Sequence, residues 1–305
     1  MKKILETIKS NYDNLNLAVL IIAPEKNIKG IVQFSHGMAE HKERYEPFMQ
    51  FLAEHGYACI IHDHRGHGAS VKAAEDLGYL YSDDAEALVD DLYQVTQYAK
   101  EQFPGVPVMM FAHSMGTLIA RCYLKKYDDT LDKLILCGTP TKNLAVGAGL
   151  FISRLWILLK GEKYRSRLID HFVTGPFRKT CDKQHPNAWI SIDEQTIKDY
   201  DEDTLCGYCF TNNAFYNLFQ LQKNAYRKKG WQLKNPKLAI HLIAGEFDPV
   251  IRSKEHFARL QQFLTDRGYV NVTSRLYPGQ KHELLNSRYS EEIPKDILRF
   301  YDSNN

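Results

Sequence analysis

The sequence has almost no net charge. Thirty-nine basic and 37 acidic side chains leave +2 over 305 residues, and no basic block gathers the positive charge in one place. A nucleic-acid partner is therefore not expected, because a phosphate backbone is held by clustered Lys and Arg. Cysteine is sparse as well. Six residues, Cys59, Cys122, Cys137, Cys181, Cys206 and Cys209, are scattered through a chain long enough to bury a large core without covalent staples. Two or three of them sit inside apolar strand or helix patterns, so a reducing cytoplasmic compartment is expected. Long hydrophobic runs are also missing. Lys2 and Lys3 precede only Ile4 and Leu5 before polar Glu6, which makes no secretory-signal core. The most apolar later stretch, Ala148 to Lys160, is too short and too interrupted by Ser153 and Arg154 to cross a bilayer. With 44% hydrophobic and 25% charged residues, the chain reads as one globular domain or one domain carrying an insertion.

An alternation of short apolar runs and helical patterns is what the sequence does contain. Leu15 to Ala23 and Ile28 to Phe34 are separated by Pro24-Glu25-Lys26-Asn27, a spacing that predicts a hairpin. Tyr45, Phe48, Phe51, Leu52 and His55 share one helical face, Tyr57 to Ile61 predicts a strand, and a loop then reaches Ser82. Leu88, Leu92 and Val95 mark an amphipathic helix over Asp84 to Lys100, closed by Phe103-Pro104-Gly105. Val106 to Ala112 and Leu134 to Cys137 are buried-strand patterns. From about Thr139 to Leu233 the rhythm breaks; Leu238 to Ala244, a helix with Phe257, Leu260 and Leu264, and Val270 to Tyr277 then restore it. This predicts an α/β fold: a mainly parallel sheet covered by helices on both faces, with its functional crevice at the strands' carboxyl ends. Residues 1–138 and 234–305 would form the two parts of the core, and 139–233 an inserted helical cap.

The chain is organised around F-A-H-S-M-G at Phe111 to Gly116, where a predicted strand hands over to a helix carrying Met115, Leu118, Ile119, Cys122 and Tyr123 on one face. Such a turn lifts the Ser114 hydroxyl clear of the backbone and points helix N-terminal amides at a developing oxyanion. Position 112 holds Ala where the usual G-x-S-x-G has Gly. A serine nucleophile needs a histidine base and an acid to orient it. Asp248 follows one predicted strand through G-E-F-D, and His282 follows the next through P-G-Q-K-H, so the order Ser, Asp, His is that of sheet hydrolases.

Other residues compete for these roles. Ser35 also has Gly two positions on, but Gln33 occupies the position that should be small. The Ser35 segment is expected instead to curl beneath the attacked carbonyl, making the Met38 and Met115 amides the oxyanion pair. Glu246 is the alternative acid, with Asp248 preferred because its D-P-V turn presents a carboxylate just past a strand end. His62, His64 and His67 come near the H-x-H-x-D-H metal pattern, yet Gly66 stands where Asp is required. Gly66 to Gly68 is read as a loop packing beside the elbow, with Asp63 and Arg65 as structural pairing candidates. Cys206 and Cys209 form a lone C-x-x-C. No metal and no cofactor is expected.

Five stretches together resemble the monoacylglycerol lipase and lysophospholipase group of α/β hydrolases. They are H-G-M-A-E-H-K-E-R-Y at His36 to Tyr45, D-H-R-G-H-G-A-S at Asp63 to Ser70, H-S-M-G at His113 to Gly116, G-E-F-D-P-V at Gly245 to Val250, and P-G-Q-K-H-E at Pro278 to Glu283. Cap segment D-T-L-C-G at Asp203 to Gly207 is similar to the group's D-P-L-x-G, with Thr204 replacing Pro. The resemblance implies an intracellular or membrane-associated serine hydrolase acting on monoacylglycerols, lysophospholipids or related esters. Small-ester, aromatic-ester or thioester hydrolysis uses the same chemistry. A peptidase for short peptides would need an acidic anchor for the amino terminus, for which Glu194, Asp199, Asp201, Glu202 and Asp203 are available. The cap stretch Ala148 to Lys160 could touch a lipid surface or pack wholly inward; nothing in the sequence fixes an oligomeric state.

Overall fold

The computed structural model describes residues 1–179, 181, 185–287 and 291–303. Eight strands form one sheet: β1 (Lys2–Lys9), β2 (Asn16–Ala23), β3 (Gly30–Ser35), β4 (Tyr57–His62), β5 (Val108–His113), β6 (Lys133–Cys137), β7 (Ala239–Gly245) and β8 (Asn271–Tyr277). Their spatial order is β1-β2-β4-β3-β5-β6-β7-β8. The β1/β2 and β2/β4 pairs are antiparallel, and the other pairs are parallel.

The predicted hairpin of β2 with β3 does not form, because β4 lies between them. All six β3 residues are buried, and β4 and β5 take its two edges as parallel neighbours, so no edge is left for β2. Instead β2 pairs along its whole length with the N-terminal β1. β1 escapes a sequence reading because it is an edge strand. Only Ile4 and Ile8 reach the core, and Leu5 is exposed.

The helices, in chain order, are α1 (Glu46–Glu54), α2 (Glu86–Gln102), α3 (Met115–Tyr127), α4 (Val146–Lys160), α5 (Arg167–Val173), α6 (Gly175–Arg178), α7 (Glu194–Glu202), α8 (Asn212–Ala225), α9 (Lys254–Thr265) and α10 (Glu292–Asp302). Strand side chains alternate between the faces. Val108, Met110 and Ala112 of β5 join the cluster containing Leu92 of α2, Leu118 of α3 and Leu260 of α9. Met109 and Phe111 join the cluster of Phe48 from α1 and Ile297 from α10. Both faces are therefore covered, as a mostly parallel sheet requires.

Helices α4 to α8 occupy the insertion between β6 and β7. They attach to the core through α8, whose C-terminal Ala225 carbonyl accepts from Arg121 Nη2 of α3 at 3.0 Å. Thr211 caps the start of α8 and donates to the Gly78 carbonyl at 2.6 Å. Among the described residues no helix is long and apolar enough to cross a membrane.

Candidate active site

Ser114 sits between β5 and α3 with φ 50° and ψ −118°. Left-handed φ is strained for a non-glycine residue, and the surrounding contacts hold it there. Its N–H donates to Cys137 of the neighbouring strand at 3.0 Å, and its carbonyl accepts the Thr117 N–H at 3.0 Å and the Thr117 hydroxyl at 2.6 Å. Close passage of strand and helix is paid for at Gly116, where any Cβ would overlap the Ser35 carbonyl oxygen. Ala112, fully buried and paired with Ser35, is accommodated without such a clash.

The turn after β3 folds over this elbow. A Cβ at Gly37 would stand 2.5 Å from Glu40 Oε1 and 3.1 Å from Ser114 Cβ, so the turn lies directly against the serine. Ala39 carries the chain around with φ 52°. Met38 lines the same cavity as Ser114 and Met115. Met115 is the first residue of α3, so its N–H has no acceptor within the helix. Glu40 Oε1 takes the Gly37 N–H, the Tyr45 hydroxyl at 3.0 Å and His113 Nδ1 at 3.1 Å. Burial opposes charge on His113, but the Glu40 carboxylate outweighs it and raises the imidazole's pKa. Burial likewise opposes charge on Glu40, and His113 and Arg44 hold its pKa well below the usual carboxylate range.

Across the cavity, β7 ends at Gly245, where a Cβ would overlap the Gln280 and Lys281 carbonyl oxygens. This close pass brings the segment after β8 beside the segment after β7. His282 Nδ1 donates to Asp248 Oδ2 at 2.9 Å, and Asp248 Oδ1 accepts the Val250 N–H at 2.8 Å. Both side chains are buried. With Nδ1 tied to the carboxylate, Nε2 is the ring nitrogen that this pairing leaves over. The ring lies 4.6 Å from that of His113 and 5.2 Å from Trp189, centroid to centroid. Ser114, His282, Met38 and Met115 line one cavity of ≈ 630 Å³, together with apolar Ile152, Phe172, Val173, Leu218 and Phe219.

Residues 26–288 match the family described as Serine aminopeptidase, S33. The chain belongs to this serine aminopeptidase S33 family. It is a serine hydrolase of esterase and lipase type on an α/β-hydrolase scaffold. The chain is 30% identical over 156 residues to "Probable lysophospholipase L2" of Haemophilus influenzae, spanning 50% of this chain and about half (49%) of that protein's length. It is 24% identical to a monoglyceride lipase homolog of monkeypox virus, over 95% of this chain and 94% of that one. A thermostable carboxyl esterase from Bacillus coagulans, solved in complex with glycerol, superposes with a TM-score of 0.90 at 26% identity, covering 99% of this chain and 98% of that chain.

In this S33 family member the competing residues go elsewhere. Glu246 is on the surface, paired with Lys254 at 2.7 Å and accepting the Gly279 N–H at 3.3 Å. Ser35 is buried, its hydroxyl 3.0 Å from His64 Nε2. Asp63 and Arg65 do form structural pairs, Asp63 with Lys42 at 2.8 Å and Arg65 with Asp91 at 2.8 Å. The Gly66 to Gly68 loop packs through His67 and His64 against His36, the residue after Ser35. Among the described residues, the group of ligand atoms close enough to share an ion is His41, Asp203 and Cys206. His62, His64 and His67 are not such a group. Instead Asp203 ties the insertion to the core by accepting from His41 Nε2 at 2.7 Å. The sequence reading assigned no role to Glu40, His113 and Glu283. The first two flank Met38 and Ser114, but Glu40 meets His113 from 73 positions away, and Glu283 meets Arg44 from 239.

Proposed function

We propose that this hydrolase cleaves monoacylglycerol or lysophospholipid esters through Ser114, His282 and Asp248, with the Met38 and Met115 amides as oxyanion donors and residues 139–233 as the cap. The observation that carries the reading is the shared cavity. Ser114, Met38, Met115 and His282, which is paired with Asp248, line it together with apolar side chains such as Ile152, Phe172, Leu218 and Phe219 that suit an acyl chain.

In the reaction, His282 takes the Ser114 proton as the hydroxyl attacks the ester carbonyl, and Asp248 stabilises the resulting imidazolium. The two amides hold the tetrahedral oxyanion. Protonated His282 gives its proton to the leaving alcohol, and water activated by the same histidine releases the acid and restores Ser114. All groups needed for these steps come from the chain itself, and no cofactor or metal is part of the proposal.

Ester substrates are favoured over peptides by the charge of the cavity. Glu194, Asp199, Asp201, Glu202 and Asp203, the acids available to anchor an amino terminus, are not among its lining residues. Glu40 and Glu283 do line it, but both are engaged by Arg44. The names of the relatives, monoglyceride lipase homolog and lysophospholipase, point the same way. Contact with a lipid surface through α4, in a reducing cytoplasmic setting, belongs to the same proposal; Phe151, Leu158 and Leu159 are exposed on that helix.

The test is fluorophosphonate labelling followed by a substrate panel of monoacylglycerols, lysophospholipids, short aryl esters and peptide amides. One adduct is expected on the Ser114 peptide, with Ser114→Ala inactive and long-chain monoesters turned over best. Labelling at another serine, or peptide amides cleaved faster than esters, would refute the proposal.

A further inference from the structure

Arg44, its side chain 11% exposed, lies between two carboxylates that belong to opposite sides of the site. Nη1 donates to Glu40 Oε2 at 2.9 Å and to Glu283 Oε1 at 2.7 Å, while Nη2 donates to Glu283 Oε2 at 2.7 Å. The guanidinium also lies 4.9 Å from the Tyr200 ring centre. Glu40 stands two residues after Met38, and Glu283 directly follows His282. The strands that lead to them, β3 and β8, are four spacings apart in the sheet, with β5, β6 and β7 between them. Four spacings are about 19 Å. Their loops therefore converge above the end of β5, where Ser114 sits, and Arg44 joins them.

Each end of this link is itself fixed. Glu40 captures the Gly37 N–H, which orients the Gly37 to Met38 turn, and Glu283 is held by its own N–H on the Ile190 carbonyl at 2.7 Å and by Asn286 Nδ2 at 3.0 Å. A bidentate guanidinium defines both distance and plane, which a flexible ammonium does not. We propose that the Glu40–Arg44–Glu283 link is a positioning device that holds the Met38 amide and His282 in register across Ser114. Arg44 touches neither the nucleophile nor the oxyanion; it acts through the two loops. The inference rests on the ester-hydrolase reading above.

The chain carries its own control. Arg65 also lies against two carboxylates, Asp91 at 2.8 Å and Asp13 at 3.2 Å, and none of these three lines the cavity. The experiment compares wild type with Glu283→Gln, Arg44→Lys and Asp91→Asn, measuring melting temperature, kcat and KM on p-nitrophenyl butyrate, and inhibition by a trifluoromethyl ketone. Glu283→Gln keeps the shape and one acceptor, so it tests the link even where Arg44→Lys fails to fold. Both link variants should lower kcat about 10–100-fold with KM within roughly three-fold, and weaken the ketone by the same factor as kcat/KM. Asp91→Asn should lower the melting temperature and leave kcat unchanged. A folded Glu283→Gln with wild-type kcat, or kcat losses that simply follow melting temperature in all three variants, would overturn the inference. If wild-type Ser114 does not react with a fluorophosphonate, the underlying function fails instead, and the two results are distinct.

Discussion

Gly138 lies against His282 so closely that a Cβ there would stand 2.8 Å from Nδ1 and 3.2 Å from Asp248 Oδ2. Its φ of +58° is also one that L-residues adopt only at a cost. The residue following β6 thus sets how near the Asp248–His282 pair can come to Ser114 just past β5, whose N–H is held by the carbonyl of Cys137, the residue before Gly138. Gly138→Ala should push the imidazole out of register. The expected result is a 10–100-fold fall in kcat, of about the size that a displacement near 1 Å produces, and a parallel fall in the fluorophosphonate labelling rate. Wild-type kcat in a folded variant would mean that the pair has room to move.

Asp248 and Glu246 make opposite predictions although they are two residues apart. Asp248→Asn leaves His282 Nδ1 facing an amide, which favours the wrong tautomer and no longer stabilises the imidazolium. Turnover should fall by about 10³–10⁴-fold with the fold retained. Glu246→Gln removes an exposed pair with Lys254 and should change turnover by less than roughly two-fold. Turnover at matched folded fraction checks both, and the reverse order would move the acid to Glu246.

What could be read from the sequence is what local spacing determines. The strand-to-helix turn at Ser114, the placing of Asp248 and His282 past β7 and β8, and the apolar runs of the central strands depend on neighbours within a few residues. Pairing between elements is different. The Pro24 to Asn27 turn does reverse the chain, but which strand lies beside β2 is decided by β4, which begins 33 residues beyond the turn's start, and by an edge strand with only two inward side chains. The Arg44 link was hidden for the same reason, since Arg44 and Glu283 are 239 positions apart and each reads alone as a surface charge. Ala112 departed from the motif without consequence for the backbone because the tight contact falls at Gly116.

Acid should destabilise the fold through four buried histidines. Burial lowers His36 to about 4 and His62 and His67 to about 3, with His64 held well below its usual value for the same reason. In the unfolded chain each takes up a proton near pH 6.5, while in the folded chain each stays neutral until far lower pH. Between about pH 6.5 and 4 the unfolded state binds more protons, so stability falls as pH falls. His41 and His113 are raised instead; their contribution is fully present below pH 6.5 and is lost as pH rises through their folded values, outside this window. Both ring nitrogens of His62 are buried without a partner. His62→Phe should therefore reduce the pH dependence of unfolding free energy near pH 5 by about 1.4 kcal/mol per pH unit, one proton's worth. Urea midpoints measured between pH 4.5 and 7 give that slope, and an unchanged slope would place the proton uptake on other groups.

The last prediction concerns the outer face of α4. Phe151, Leu155, Leu158 and Leu159 recur at helical spacing, and Phe151, Leu158 and Leu159 are 71%, 74% and 63% exposed. Ile152 and Trp156 instead pack against the core, so the helix divides its apolar residues between two surfaces. Leu168 and Phe172 of α5 are exposed too, and Phe172, though 65% exposed, also lines the cavity that holds Ser114. Apolar side chains exposed at the cavity, such as Phe172, would help an acyl chain pass from a lipid surface into it. Immersing half of Phe151 and half of Leu158 contributes about 2 to 3 kcal/mol, which corresponds to a 30–150-fold difference in partitioning. The double variant Phe151→Ser, Leu158→Ser should lose most binding to phosphatidylcholine vesicles and most turnover of dispersed long-chain monoacylglycerol, while p-nitrophenyl butyrate turnover stays near wild type. Trp156→Ser serves as the contrast, because it removes an inward contact and should lower the melting temperature. If the double variant loses both activities equally with vesicle affinity unchanged, the exposed face of α4 serves the fold or the cavity rather than a lipid surface.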